Sequence, residues 1–135
     1  MTEYSIKYKS TRNCVYSTKY HIIFCPKYRR SVLIDGVDTR LKELILEISK
    51  ELESEVIQLE IMPDHVHILV EIPPPVGVCS YLSKIKGISA SVLRKEFPWL
   101  KSKLPSLWTS YYFCSTIGGA PLEDLKQYVE NQKSV

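Results

Sequence analysis

Two β-rich runs, residues 56–62 and 65–72, are separated only by Pro63-Asp64. Such a short connection predicts a tight antiparallel hairpin, and the hairpin dictates a register. Met62 then faces His65, Ile61 faces Val66 and Glu60 faces His67. Apolar Ile61 opposite apolar Val66 agrees with that pairing. Side chains alternate between faces along a strand, so Val66, Ile68, Val70 and Ile72 share one uniformly apolar face. That face must be covered by other elements. His65 and His67 fall on the opposite, open face, roughly 7 Å apart along the strand.

The surrounding chain supplies the cover. A Val-, Ile- and Tyr-rich run from Val15 to Phe24 predicts a strand ended by Pro26. Leu41, Leu44, Ile45, Ile48 and Leu52 fall on one face of a helix over residues 37–52, with Glu43, Glu47, Lys50 and Glu51 on the other. Past Pro73-Pro74-Pro75, Val78, Leu82, Ile85, Ile88 or Ser89, and Val92 predict a second helix over 78–96. Its opposite side carries Lys84, Gly87, Ser91 and Lys95, a small and basic stripe suited to a phosphate backbone. A further strand is expected near 110–117. Gly118-Gly119 then breaks the chain, and Pro121 suits the first turn of a last helix striped by Leu122, Leu125 and Val129. The order β-α-β-β-α-β predicts an α+β, ferredoxin-like (RRM-like) split β-α-β antiparallel sheet. Both main helices lie on one face, and a C-terminal tyrosine-bearing helix follows. One domain over 1–135 is expected, with a loose basic arm over 1–14 and a mobile tyrosine helix over 120–133.

Charge is segregated along the chain. The net +3 divides into +6 over residues 1–30, −5 over 31–60 and +2 over 61–135. Either the basic segment faces a polyanion while the acidic helix faces away, or the acidic block is simply a solvated helix face. No window approaches the ~18 uninterrupted apolar residues of a membrane span. The first residues lack the apolar core of a signal peptide, so a cytoplasmic protein with no membrane role is expected. Cys14, Cys25, Cys79 and Cys114 form no C-x-x-C pair and read mostly as buried small hydrophobes. There is no phosphate-binding glycine loop, no H-E-x-x-H and no G-x-S-x-G, so no nucleotide cofactor is expected.

The chemistry lies with the histidines. Two imidazoles on one strand face are close enough to converge on a metal ion, and Glu60 beside them could orient a ring or bind the ion. They could equally form a hydrogen-bonded surface cluster. On the last helix, Tyr128 and Gln132 are one turn apart on one face, with Asp124 a turn earlier. Packing alone would also account for that tyrosine.

Met62-Pro63-Asp64-His65-Val66-His67 and the terminal Gln127-Tyr128-Val129-Glu130-Asn131-Gln132 resemble the HUH-type single-tyrosine transposases of small bacterial and archaeal insertion sequences. The block from Tyr20 to Arg30, the run Lys86-Gly87-Ile88-Ser89-Ala90, and Leu107-Trp108 extend the likeness from about residue 16 to residue 132. The resemblance implies an enzyme that cleaves and rejoins single-stranded DNA through a 5′-phosphotyrosine. It implies Tyr128 as nucleophile and His65, His67 and Gln132 as ligands of a divalent cation, Mg²⁺ or Mn²⁺. It also implies a homodimer acting on single-stranded DNA hairpins near element ends.

Phosphodiester exchange needs a nucleophile and relief of charge on the phosphate, and these residue types supply both. DNA contacts are expected from Lys27, Arg29, Arg30, Lys84 and Lys95, with Tyr28 or Trp108 stacking on an unpaired base. His21, on the first strand, is expected on the same sheet face as the imidazole pair. Two competing readings remain. One is a replication-initiator or relaxase-type nickase, and the other a non-catalytic ferredoxin-like nucleic-acid-binding module.

Overall fold

The computed structural model describes residues 9–117 and 129–131. Strands β1 (Lys9–Thr11) and β2 (Cys14–Tyr16) pair antiparallel as a small separate hairpin. The main sheet contains β3 (Lys19–Phe24), β4 (Glu55–Met62), β5 (His65–Glu71) and β6 (Phe113–Thr116). Its spatial order is β4-β5-β3-β6, antiparallel throughout. Helix α1 (Val37–Glu51) links β3 to β4, α2 (Val78–Glu96) follows β5, and a short α3 (Trp99–Lys103) precedes β6. This is the ferredoxin-like split β-α-β sheet expected from the sequence.

The hairpin register is the expected one: Met62 pairs with His65, Ile61 with Val66 and Glu60 with His67. Val66, Ile68 and Val70 have no exposed surface, and neither do Ile22 and Phe24 beside them on β3. They pack with Leu41, Leu44, Ile45 and Ile48 of α1 and with Leu82 and Ile85 of α2 in one core. That layer leaves the imidazole face of the sheet on the far side from both helices.

Several expectations change. The first strand is not continuous from Val15, because strand pairing is interrupted at Ser17-Thr18 and the two sides join different sheets. There the Thr18 amide donates to the buried Glu71 carboxylate at 3.1 Å, and its hydroxyl donates to the Ile72 carbonyl. Residues 9–14 belong to the β1–β2 hairpin instead of a loose arm; residues 1–8 lie outside the described ones. On α2 the buried face is Tyr81, Leu82, Ile85, Ser89 and Leu93, while Ile88 is 40% exposed. Tyr81 takes an inward position because its hydroxyl has a partner, the Ser49 hydroxyl of α1 at 2.7 Å.

Trp108 is likewise buried: its indole N–H donates to Ser89 Oγ at 3.0 Å, and its ring meets Phe24 edge-on. It is a core residue and not a base-stacking platform. All four cysteines are free, but only Cys25 is buried, and burial pushes its thiol up to about 11.

Burial also pushes the Tyr81 phenol up to about 12, against an opposing contribution from its bond to Ser49. A folded-state value above the unfolded value of 10.0 means the neutral phenol is favoured by folding. The resulting stability is complete below pH 10 and is lost as pH rises through 10 to 12, about 2–3 kcal/mol in all. Denaturant titrations across that range should show the loss in wild type. A Tyr81→Phe variant that lost stability equally over the same window would contradict the assignment.

Candidate active site

The exposed face of the sheet is organised in rows set by the strand register. One row runs Glu60, His67, Ile23, Phe113; the next runs Gln58, Leu69, His21, Ser115. His67 therefore meets His21 diagonally. Their rings stack with centroids 5.6 Å apart, and His21 Nδ1 lies 3.4 Å from His67 Nε2. On its other side His67 Nδ1 lies 3.7 Å from Glu60 Oε1. Both ring nitrogens of His67 thus face polar partners. This face is not bare: Ile23 is 3% exposed, and the side chains of His65 and His67 are each 23% exposed.

Burial, reinforced by the neighbouring His21, holds His67 below the ordinary histidine value, and Glu60 only partly opposes this. The ring is accordingly favoured in its neutral form, the form that ligates metals. Burial by itself would raise the Asp64 carboxyl, but hydrogen bonds from His65 and Arg29 and the guanidinium charge outweigh it and hold it low. An ionised carboxylate only accepts, so His65 Nδ1, 2.9 Å from Asp64 Oδ1, must be the donor. In the neutral ring this tautomer leaves the lone pair on His65 Nε2. A carboxylate behind an imidazole is the usual way a ligating histidine is oriented. The donor set of His65 and His67 fits a divalent cation on these grounds. Among the described residues, no group of three or more His, Cys, Asp or Glu side chains is arranged to hold one.

Asp64 also faces the other way. Arg29 Nε donates to Asp64 Oδ2 at 2.8 Å. Arg29 Nη1 donates to the Val129 carbonyl at 3.0 Å and lies 3.8 Å from Glu130 Oε1. The Arg29 side chain is only 12% exposed. The sequence marks Arg29 as a DNA contact and Asp64 as a mere turn residue; in the fold they form one ion pair beside His65. An acid immediately before the first histidine, at the tip of a two-residue turn, was the available signal for Asp64. For His21 it was the strand order, which places β3 beside β5.

The other expected residues divide. Glu60 stands beside His67 as the register required. Arg30 is exposed, Lys27 is half-buried with its ammonium 5.2 Å from the Tyr28 ring, and Tyr28 is 44% exposed. Lys84 and Lys95 are exposed on the outer side of α2, across the sheet from the imidazoles. They do not join the site. Tyr128 and Gln132 lie outside the described residues; residues 129–130, between them, are helical.

Comparison with known proteins agrees with this geometry. Residues 14–132 match the family described as IS200-like transposases. The chain is 35% identical over 129 residues to the ISDra2 transposase TnpA of Deinococcus radiodurans, covering 94% of this chain and 92% of that protein. It is 29% identical over 126 residues to the transposase for insertion sequence element IS200 of Salmonella typhimurium, covering 92% and 82%. A crystal structure of a Deinococcus radiodurans R1 protein described as a transposase superposes with a TM-score of 0.82 at 34% identity, covering 94% of this chain and 99% of that one. A REP-associated tyrosine transposase bound to a REP hairpin shares the fold, with a TM-score of 0.54 at 18% identity, covering 96% and 69%.

Proposed function

Because the chain belongs to the IS200-like transposase family, we propose that it cleaves and rejoins single-stranded DNA at insertion-sequence ends through Tyr128. The observation that carries this reading is the imidazole pair His65 and His67, flanked by Glu60 and Asp64, on the sheet face away from the helices. The Tyr128 oxygen attacks the scissile phosphorus, the bond to the 3′ oxygen breaks, and that oxygen takes up a proton as the phenol loses one. The products are a 5′-phosphotyrosine and a free 3′-hydroxyl. Attack by another 3′-hydroxyl reverses the exchange and returns the phenol. Because the phosphodiester linkage is exchanged and never hydrolysed, joining needs no nucleotide cofactor.

A divalent cation, Mg²⁺ or Mn²⁺, held by His65 and His67 with Gln132, would polarise the scissile phosphate and offset its growing charge. The protein's own part is to keep His67 neutral and both rings aimed. Asp64 holds the His65 tautomer, and burial keeps His67 uncharged. Lys27 and Arg30, at the end of β3, supply phosphate contacts outside the chemistry. The segment 120–133, which apart from residues 129–131 lies outside the described residues, would carry the nucleophile as one unit, and a homodimer brings two hairpin-bearing DNA ends together in the cytoplasm. Among the described residues, no helix is long and apolar enough to cross a membrane.

Joining separates this reading from its relatives in chemistry. Labelled single-stranded hairpin DNA incubated with Mn²⁺ and a second DNA end should yield a covalent joint molecule. Cleavage without any joint product would assign a nickase. Binding without cleavage would assign a non-catalytic module.

A further inference from the structure

Arg29 occupies a costly backbone position. It follows Tyr28 in a short 3-10 turn (Lys27–Arg29), and both residues are left-handed, with φ of 58° and 51°. Neither is glycine, so the turn is held by its surroundings: the Lys27 amide donates to the Leu107 carbonyl at 2.8 Å, and the Arg29 amide to the Pro26 carbonyl at 2.8 Å. The conformation sends the Arg29 guanidinium away from solvent. It spans two partners distant in sequence, Asp64 in the turn before His65 and the carbonyl of Val129, the residue that follows Tyr128.

We propose that Arg29 is a positioning residue that clasps the segment carrying Tyr128 to the histidine strand, with Asp64 as the shared anchor. This rests on the reading of Tyr128 as nucleophile. One carboxylate ties the two halves together: Oδ1 fixes His65, and Oδ2 fixes the guanidinium that holds the Val129 carbonyl. A planar guanidinium can donate in both directions at once, which a lysine ammonium at the end of a flexible stem does poorly. The contact is made to Val129, and through it the clasp would act on the neighbouring Tyr128. That role differs from neutralising a phosphate, and the two separate kinetically.

The test measures adduct formation at saturating hairpin DNA with Mn²⁺, and hairpin affinity without divalent metal, for Arg29→Ala, Arg29→Lys and Tyr128→Phe. Misplacing a reacting group by about 1 Å costs roughly 10²-fold in rate. Arg29→Ala should lose about that much at saturation while its DNA affinity stays within about twofold of wild type. Millimolar guanidinium should recover part of the rate. Arg29→Lys, which keeps the charge and stem and so guards against a folding defect, should likewise keep hairpin affinity near wild type and still fail to restore the rate. A phosphate contact predicts the reverse: weaker binding, a salt slope reduced by about one, and a normal rate at saturation. That result, or variants indistinguishable from wild type, would overturn the clasp. An adduct that persists in Tyr128→Phe instead defeats the assignment of Tyr128. An adduct that requires Tyr128 but ignores Arg29 defeats only the clasp.

Discussion

Replacing Tyr128 by Phe is expected to abolish the denaturant-stable adduct between this protein and hairpin DNA. The substitution removes one oxygen and leaves the ring, so helix packing and DNA binding should survive. Loss of a covalent nucleophile typically costs about 10⁴-fold or more, because no neighbouring group can replace it. Hairpin affinity should stay within about twofold, since phosphate contacts dominate it and the phenol is not among them. The two readouts together separate a lost nucleophile from a misfolded protein. A Phe variant that still formed the adduct at the wild-type rate would remove Tyr128 from the chemistry.

The second large effect is expected at the imidazoles. His65→Ala combined with His67→Ala should lower divalent-dependent cleavage by about 10³-fold, the scale of several kcal/mol of lost charge stabilisation on the phosphate. The fold should tolerate the change, because both rings stand on the sheet face away from the core, and Val66, Ile68 and Val70 still hold β5 in place. His21 gains importance in such a variant: it already stacks on His67, so the double variant leaves one imidazole on the face. Titration with Mn²⁺, read by its paramagnetic resonance, should show weakened binding in parallel with cleavage. Unchanged cleavage with the same metal dependence would take these histidines out of the mechanism.

How much of this was legible depends on how local each feature is. The β4–β5 hairpin is local: two residues of turn and an apolar alternation determine both its register and the face on which His65, His67 and Glu60 stand. Helix α2 was legible in extent but only in part by face. Tyr81 and Trp108 are polar-tipped aromatics whose burial depends on hydroxyl partners, Ser49 and Ser89, far away along the chain. The same limit hid the Arg29–Asp64 pair. Its members are separated by 35 residues and meet only because a left-handed turn after β3 aims the guanidinium toward the β4–β5 turn. Read alone, Arg29 in a basic run looks like a DNA contact, and Asp64 beside a proline looks like a turn. The break at Ser17-Thr18 has a similar origin, since the buried Glu71 that receives the Thr18 amide lies 53 residues away. The charge segregation, by contrast, survives as a simple surface fact, with the glutamates of α1 on its solvent side.

The central claim is that this chain makes a covalent bond to DNA through one named oxygen. The most direct measurement is peptide mapping of the adduct formed with a hairpin oligonucleotide and Mn²⁺, after nuclease trimming and protease digestion. A residual nucleotide phosphate carried on Tyr128, and absent when His65 and His67 are both replaced, is the predicted result. A phosphate on any other residue, or no adduct with hairpin DNA under metal conditions that support cleavage, would contradict it.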